Sequence, residues 1–292
     1  ISAWIGNVSY LVILFAALSY FFPLFGEGNN KAAIAGASVV LWSLHWMILR
    51  GLRTAARANA LTTIAKIVPL LLFIGLVIAA FQKETFSVDF WGSSALGSTL
   101  DQVKSTMLVT VWVFIGIEGA NVFSARAAER ANVGRATVIG FVITLLLLIA
   151  VSLLSLGILR QPELAALKNP SMAGVLEAAA GPWGAVLISI GLIISVGGAL
   201  LAWTLLAAES VFTPAKENVM PGTLAVENTQ GVPAHALWIT NGCIQLFLLL
   251  TLYSSATYLA LISLATSMIL LPSLFSGLYA LKLTWQGQTY AG

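Results

Sequence analysis

The group best placed to do chemistry is a carboxylate, Glu118, inside the apolar run Val111-Trp112-Val113-Phe114-Ile115-Gly116-Ile117-Glu118-Gly119-Ala120-Asn121. An ionisable side chain at bilayer depth is expensive, and where it occurs it faces the protein interior or a cavity. Glu118 is therefore a candidate coupling or proton-sensitive group; a structural carboxylate bonded to neighbouring helices is the alternative. Gly116 and Gly119 bracket it where a spanning helix should be most regular, and glycine in a helix interior is about 1 kcal/mol less favourable than alanine. Small residues can simply let helices approach closely. The other reading is an unwound turn that frees carbonyls from Trp112 to Ile115 and amide donors just beyond. Such groups can hold the ammonium and carboxylate of an amino acid without adding net charge to the membrane.

Further candidates lie in other spans. Lys66 is set inside an apolar run; its stem can snorkel to the interface, or its ammonium can point inward and fill the place of a coupling cation. Of the nine tryptophans, Trp42, Trp46, Trp91 and Trp285 fall near span ends and read as an interfacial belt. Trp112 and Trp203 lie well inside, as core packing or as aromatic faces over a substrate or a cationic side chain. Asn7, in Trp4-Ile5-Gly6-Asn7, can bond a ligand or another helix. His45 and His235 read as structural or solvated, and Cys243 as a small buried residue. No metal-ligand spacing, phosphate-binding glycine loop or nucleophile elbow occurs, so neither an enzyme nor a bound cofactor or metal is expected.

These residues need a membrane to sit in. Of 292 residues, 59% are hydrophobic and 9% charged, and the mean hydropathy is +0.95. Soluble domains carry about 25% charged residues, which makes this chain an integral membrane protein. The net charge of +3 is too small and scattered to suggest nucleic acid. Apolar spans fall at residues 4–22, 32–49, 61–81, 103–123, 136–159 and 181–208. The run 228–281 divides at Tyr253-Ser254-Ser255 into two more, the last interrupted by Pro272. With about 20 residues needed to cross, about eight helices result, an all-α fold. Gly197-Gly198 marks a second irregular place, and paired interruptions occur in transporters built from repeats; no internal repeat is visible by eye. Connections after the second and fourth spans hold Arg50, Arg53, Arg57, Arg126, Arg130 and Arg135, whereas Lys31, Lys83, Arg160 and Lys168 are mixed with acids. The positive-inside rule then puts the chain start in the cytoplasm. The chain opens on Ile1, already apolar, and is expected to belong to a longer protein, unable alone to bind or transport substrate.

The run from Trp112 to Ala120 resembles the sixth helix of amino acid–polyamine–organocation (APC) transporters, above all the basic amino acid/polyamine antiporters. Trp4-Ile5-Gly6-Asn7 with Leu18-Ser19-Tyr20-Phe21-Phe22-Pro23 resembles their third helix, and Trp203-Thr204-Leu205-Leu206-Ala207-Ala208-Glu209 their eighth. Leu41-Trp42, His45, Leu49-Arg50-Gly51 and Ala65-Lys66-Ile67-Val68-Pro69 are most similar to the arginine/ornithine branch. The resemblance covers essentially the whole chain. It implies an APC-type inverted-repeat transporter fold, truncated to family helices 3 to 10. Residues 1–292 would form a partial permease domain, with the remainder of the first repeat at 1–81 and the second repeat at 99–283.

The implied activity is cationic amino acid antiport, arginine for ornithine, by alternating access. Lysine, polyamine or proton-coupled amino acid transport is the alternative, and a channel or receptor subunit lies further off. By the same resemblance Trp112 is a gate, and the carbonyls of Trp112 and Ile115, in the turn with Gly116 and Gly119, bind the substrate ammonium. Trp203 covers the substrate side chain, Ala3 and Asn7 line the pocket, and Glu118 and Lys66 are the coupling groups. Implied partners are a basic amino acid, the lipid bilayer and, as a candidate assembly, a homodimer, with no nucleic acid. The implied location is the cell (plasma or inner) membrane, multi-pass. The family's first helix and its last two have no counterpart here, and Asn218 stands where the family has glycine after its eighth helix.

Overall fold

The computed structural model describes residues 1–88, 91, 97–116, 130–254 and 257–287, with side chains for all of these except 52–61, 63, 64, 130 and 131. In chain order its helices are α1 Ser2–Leu18, α2 Lys31–Leu49, α3 Leu52–Ala80, α4 Lys83–Ser87, α5 Thr99–Phe114 and α6 Arg130–Ser155. There follow α7 Gln161–Ala166, α8 Ser171–Ala180, α9 Pro182–Lys216, α10 Ala234–Ser254 and α11 Tyr258–Trp285. Among the described residues, α2, α9, α10, α11 and the Asn132–Ser155 part of α6 are long and apolar enough to cross a membrane. The helix α1 and the Ala65–Ala80 part of α3 are apolar but shorter.

The other helices pack around α1. From Ile5 to Ala17 every residue except Tyr10 is buried, the mark of a helix surrounded on all sides. It meets Ala33, Ala37 and Leu41 of α2, Leu200 of α9, Ile244 and Leu248 of α10, and Leu261 and Ala265 of α11. At its start the Ser2 hydroxyl donates to the Ala265 carbonyl at 2.7 Å. Lipid is as apolar as leucine, so helix association depends on close approach and on polar links more than on burial alone. Glycine supplies the approach between α3 and α9. Gly191 lies against Pro69, where an added Cβ would sit 2.6 Å from the ring, and Gly198 lies against Thr62. Both pairs step by two helical turns, in opposite directions along the two helices.

Polar links supply the rest, most densely between α2 and α10. Asn241 Nδ2 and His45 Nδ1 are 2.9 Å apart, both residues fully buried. The Trp42 indole donates to Gln245 Oε1 at 3.1 Å, and Gln245 Nε2 donates to Ser38 at 3.0 Å. The His45 ring lies 4.2 Å from that of Trp238 and within 6 Å of Trp42 and Trp46. Trp42 is thus an inter-helix donor. His45 is structural, as expected, and Cys243 is free and only half-buried.

Several boundaries differ from the sequence expectation, each for a local reason. The helix α3 starts at Leu52, so Arg53 and Arg57 open a helix instead of filling the expected loop before residue 61. α5 starts at Thr99, where Ser98 and Asp101 form a capping box, and α1 ends at Leu18 rather than at 22. Gly197-Gly198 does not interrupt α9, which runs unbroken and uses Gly198 to admit Thr62. It continues past Glu209 and through Pro214 to Lys216, then ends with Asn218 at φ 60, the left-handed position that usually selects glycine. Pro272 does not interrupt α11 either; a proline removes one donor, and a membrane helix can continue past it. The polar connection after α6 folds into the short helices α7 and α8.

Candidate substrate site

The site is built on the abrupt end of α5. Its 16 residues make a rod of about 24 Å, shorter than the hydrocarbon core of about 30 Å, so a helix capped at one interface stops inside the membrane. The Ile115 amide is shared between the carbonyls of Val111 and Trp112, each at 3.2 Å. Ile115 is already extended, at ψ 131, and Gly116 takes φ +110, a conformation that strains any residue with a Cβ. The last carbonyls of a helix carry its partial negative charge, which favours a cation at that end.

Four aromatic side chains from four helices converge there. The Trp112 ring rests on α1 at Gly6, where an added Cβ would lie 2.8 Å from the indole. The Trp203 ring, from α9, rests on Gly116 in the same way, again at 2.8 Å. Tyr10 and Trp112 have ring centroids 5.9 Å apart. Trp203 stands near the polar end of Tyr10, and Trp112 near that of Tyr258 on α11. Aromatic faces attract a cation through their quadrupole, by about 2 kcal/mol or more once water is excluded. A helix C-terminus lined by aromatic side chains can therefore hold an organic cation without a carboxylate.

The structure brings Trp112, Ile115, Gly116 and Trp203 together. Ala3 and Asn7 lie one turn or less from Gly6 on α1, where Asn7 Nδ2 donates to the Ala3 carbonyl at 2.9 Å. Asn7 is fully buried, and its Oδ1 has no hydrogen-bond partner, an arrangement that asks for an added donor. Lys66 is apart from the aromatic ring. It lines a cavity of about 380 Å³ with Pro69, Gly191, Ser195 and Tyr258, so Tyr258 borders both places. Glu118 and Gly119 lie outside the described residues. Sequence reasoning missed Gly6, Tyr10 and Tyr258 as site residues. The spacing Ala3, Asn7, Tyr10 does put them on one helical face, a signal that points to Tyr10; nothing local points to Tyr258.

Residues 1–290 match the amino acid permease family. The chain belongs to that family. Within the APC superfamily this chain is homologous to the arginine/ornithine branch of the basic amino acid/polyamine antiporters. It is 55% identical to an arginine/ornithine antiporter of Pseudomonas aeruginosa, over 99% of this chain and 62% of that protein. It is 43% identical to an L-lysine transport protein of Corynebacterium glutamicum, over 98% of this chain and 58% of the relative. An arginine/agmatine antiporter of Chlamydia pneumoniae is also 43% identical, over 98% and 60%. The permease chain thus spans about three-fifths of the length of these curated relatives. Its apolar helices and its family make it a multi-pass membrane protein.

Proposed function

We propose that the protein is a cationic amino acid antiporter that exchanges arginine for ornithine by alternating access. The observation that carries the reading is the aromatic ring of Tyr10, Trp112, Trp203 and Tyr258 around the C-terminal end of α5. The carbonyls at Trp112 and Ile115 and the turn at Gly116 and Gly119 receive the α-ammonium, Trp112 gates, and Trp203 covers the guanidinium. Ala3 and Asn7 line the pocket, with Asn7 Oδ1 as a waiting acceptor. Glu118 and Lys66 couple the cycle. In this reading residues 99–283 form the second inverted repeat and residues 1–81 what remains of the first. The chain start faces the cytoplasm of the cell membrane, and a homodimer is the assembly. The 55% identity to a protein named an arginine/ornithine antiporter supports this choice of substrates. The named L-lysine transport protein supports lysine as the second reading.

Uptake of labelled arginine into vesicles carrying the full-length protein tests it. Internal ornithine should accelerate uptake severalfold over empty vesicles, and internal lysine less. No acceleration by either would remove the exchanger assignment; stronger acceleration by lysine would move the assignment to the second reading.

A further inference from the structure

Next to the cavity at Lys66 lies a second, wider one. It holds about 510 Å³ and is lined by the turn after α1, the segment between α7 and α8, and the start of α11. Asn169 and Tyr258 border both cavities, so they meet there. The wider one is open and carries two full charges of opposite sign, Glu27 and Lys168. Among the described residues neither has an ion-pair partner, and they do not neutralise each other.

Both charges are held by backbone that has little freedom. Glu27 sits between Gly26 at φ +53 and Gly28 at φ +83. Gly28 lies on the backbone of Val12 and Ala16 in α1, where a side chain has no room. The Gly28 amide donates to the Phe25 carbonyl at 2.9 Å, and Asn30 Nδ2 donates to the Leu24 carbonyl, also at 2.9 Å. Lys168 follows Leu167, whose amide donates to the Leu164 carbonyl and whose side chain packs on Gly174. The lining also includes Tyr258, which stands near Trp112. A molecule in the wider cavity therefore touches one member of the aromatic group, Tyr258.

Unpaired, opposite charges on one cavity suit a ligand that carries both signs. A cationic amino acid does, and a volume of about 300–1,000 Å³ is the usual range for a small-molecule site. We propose that this cavity is a vestibular subsite for the substrate, in which Glu27 takes the side-chain cation and Lys168 the carboxylate before the molecule descends to the aromatic ring. The proposal rests on the cationic amino acid reading above. The two carboxylate–cation contacts act in water-rich surroundings, so they steer and concentrate substrate rather than hold it tightly.

Proteoliposomes of the full-length protein, assayed separately for each membrane face, test this with Glu27→Gln and Lys168→Gln. Glu27→Gln should raise the KM for arginine about threefold with the maximal exchange rate unchanged. Lys168→Gln should do the same for arginine but not for agmatine, which lacks the carboxylate. Both effects should be confined to one face and disappear at high salt, a pattern a folding defect would not produce. Unchanged arginine KM in both variants, beside normal exchange by the unsubstituted protein, would overturn the subsite alone. An equal rise for arginine and agmatine in Lys168→Gln would overturn the carboxylate assignment. Failure of the unsubstituted protein to exchange any cationic amino acid would remove the transport reading and the subsite with it.

Discussion

Two inter-helix regions of this permease are built on opposite principles. Between α2 and α10 the contact is a ladder of directed hydrogen bonds, Asn241 to His45, Trp42 to Gln245 and Gln245 to Ser38. Three tryptophan rings close around the buried imidazole. At the end of α5 the contact is instead ring on glycine, Trp112 on Gly6 and Trp203 on Gly116. The helix C-terminus there lies among aromatic side chains. A ladder of hydrogen bonds has one register and holds it. A flat ring on a glycine can slide or lift with less penalty, because dispersion falls off gradually. The difference separates a fixed scaffold from a place where helices can part around a substrate.

The largest expected effect is at the point where the second region has no slack. Gly116→Val adds a branched side chain at φ +110, 2.8 Å from the Trp203 ring. Backbone strain of this kind costs about 1–3 kcal/mol before the clash is counted, so exchange should fall by about tenfold to a hundredfold. Vesicle exchange measured beside the purified protein's thermal transition separates this from misfolding. Near-normal exchange would show that the turn at Gly116 is not part of the site. Next comes Trp203→Leu, which removes a cation-attracting face worth about 0.5–2 kcal/mol; the KM for arginine should rise by about threefold to thirtyfold. Trp203→Phe should recover part of it. Equal KM values for Trp, Leu and Phe would reduce Trp203 to packing. A smaller change is expected from Tyr10→Phe, which keeps the ring but removes the hydroxyl near Trp203. A neutral polar contact is worth about 1 kcal/mol, so arginine KM should rise by up to about fivefold; an unchanged KM would detach Tyr10 from the site.

How much of this was legible in the sequence follows the same division. A broken helix announces itself locally: Gly116 is a poor helix former in the middle of an apolar span, and α5 does end two residues before it. Trp112 and Trp203 stood out because they lie far from span ends. The partners that complete the ring did not, since Tyr10 and Tyr258 reach it only through the packing of α1 and α11, which no local pattern encodes. Gly197-Gly198 misled for a related reason. Glycine in a membrane helix marks either a break or a close neighbour, and only the position of Thr62 on α3 decides between them. Pro272 was ambiguous in the same way, because a continued helix and a broken one share the residue. The α2–α10 ladder was half visible. Ser38, Trp42 and His45 fall on one helical face, as do Asn241 and Gln245, but their pairing depends on register across two helices.

That ladder gives the smallest expected effect and the sharpest test of the comparison. His45→Ala alone should destabilise markedly, because it empties a space enclosed by Trp42, Trp46 and Trp238 as well as removing the bond to Asn241. Its magnitude therefore says little about the hydrogen bond. A double-mutant cycle with Asn241→Ala cancels the ring contacts, since they are lost whether or not Asn241 is present. Buried polar pairs in membrane proteins couple by about 0.6 kcal/mol and at most about 1.7, so unfolding in mixed micelles should give a value in that range. Because the ladder lies apart from the aromatic ring, the arginine KM of Asn241→Ala should stay at the unsubstituted value. The reverse outcome, no coupling in the cycle but an altered KM, would mean that α2 and α10 move with the substrate and that the ladder is not the fixed side of the molecule.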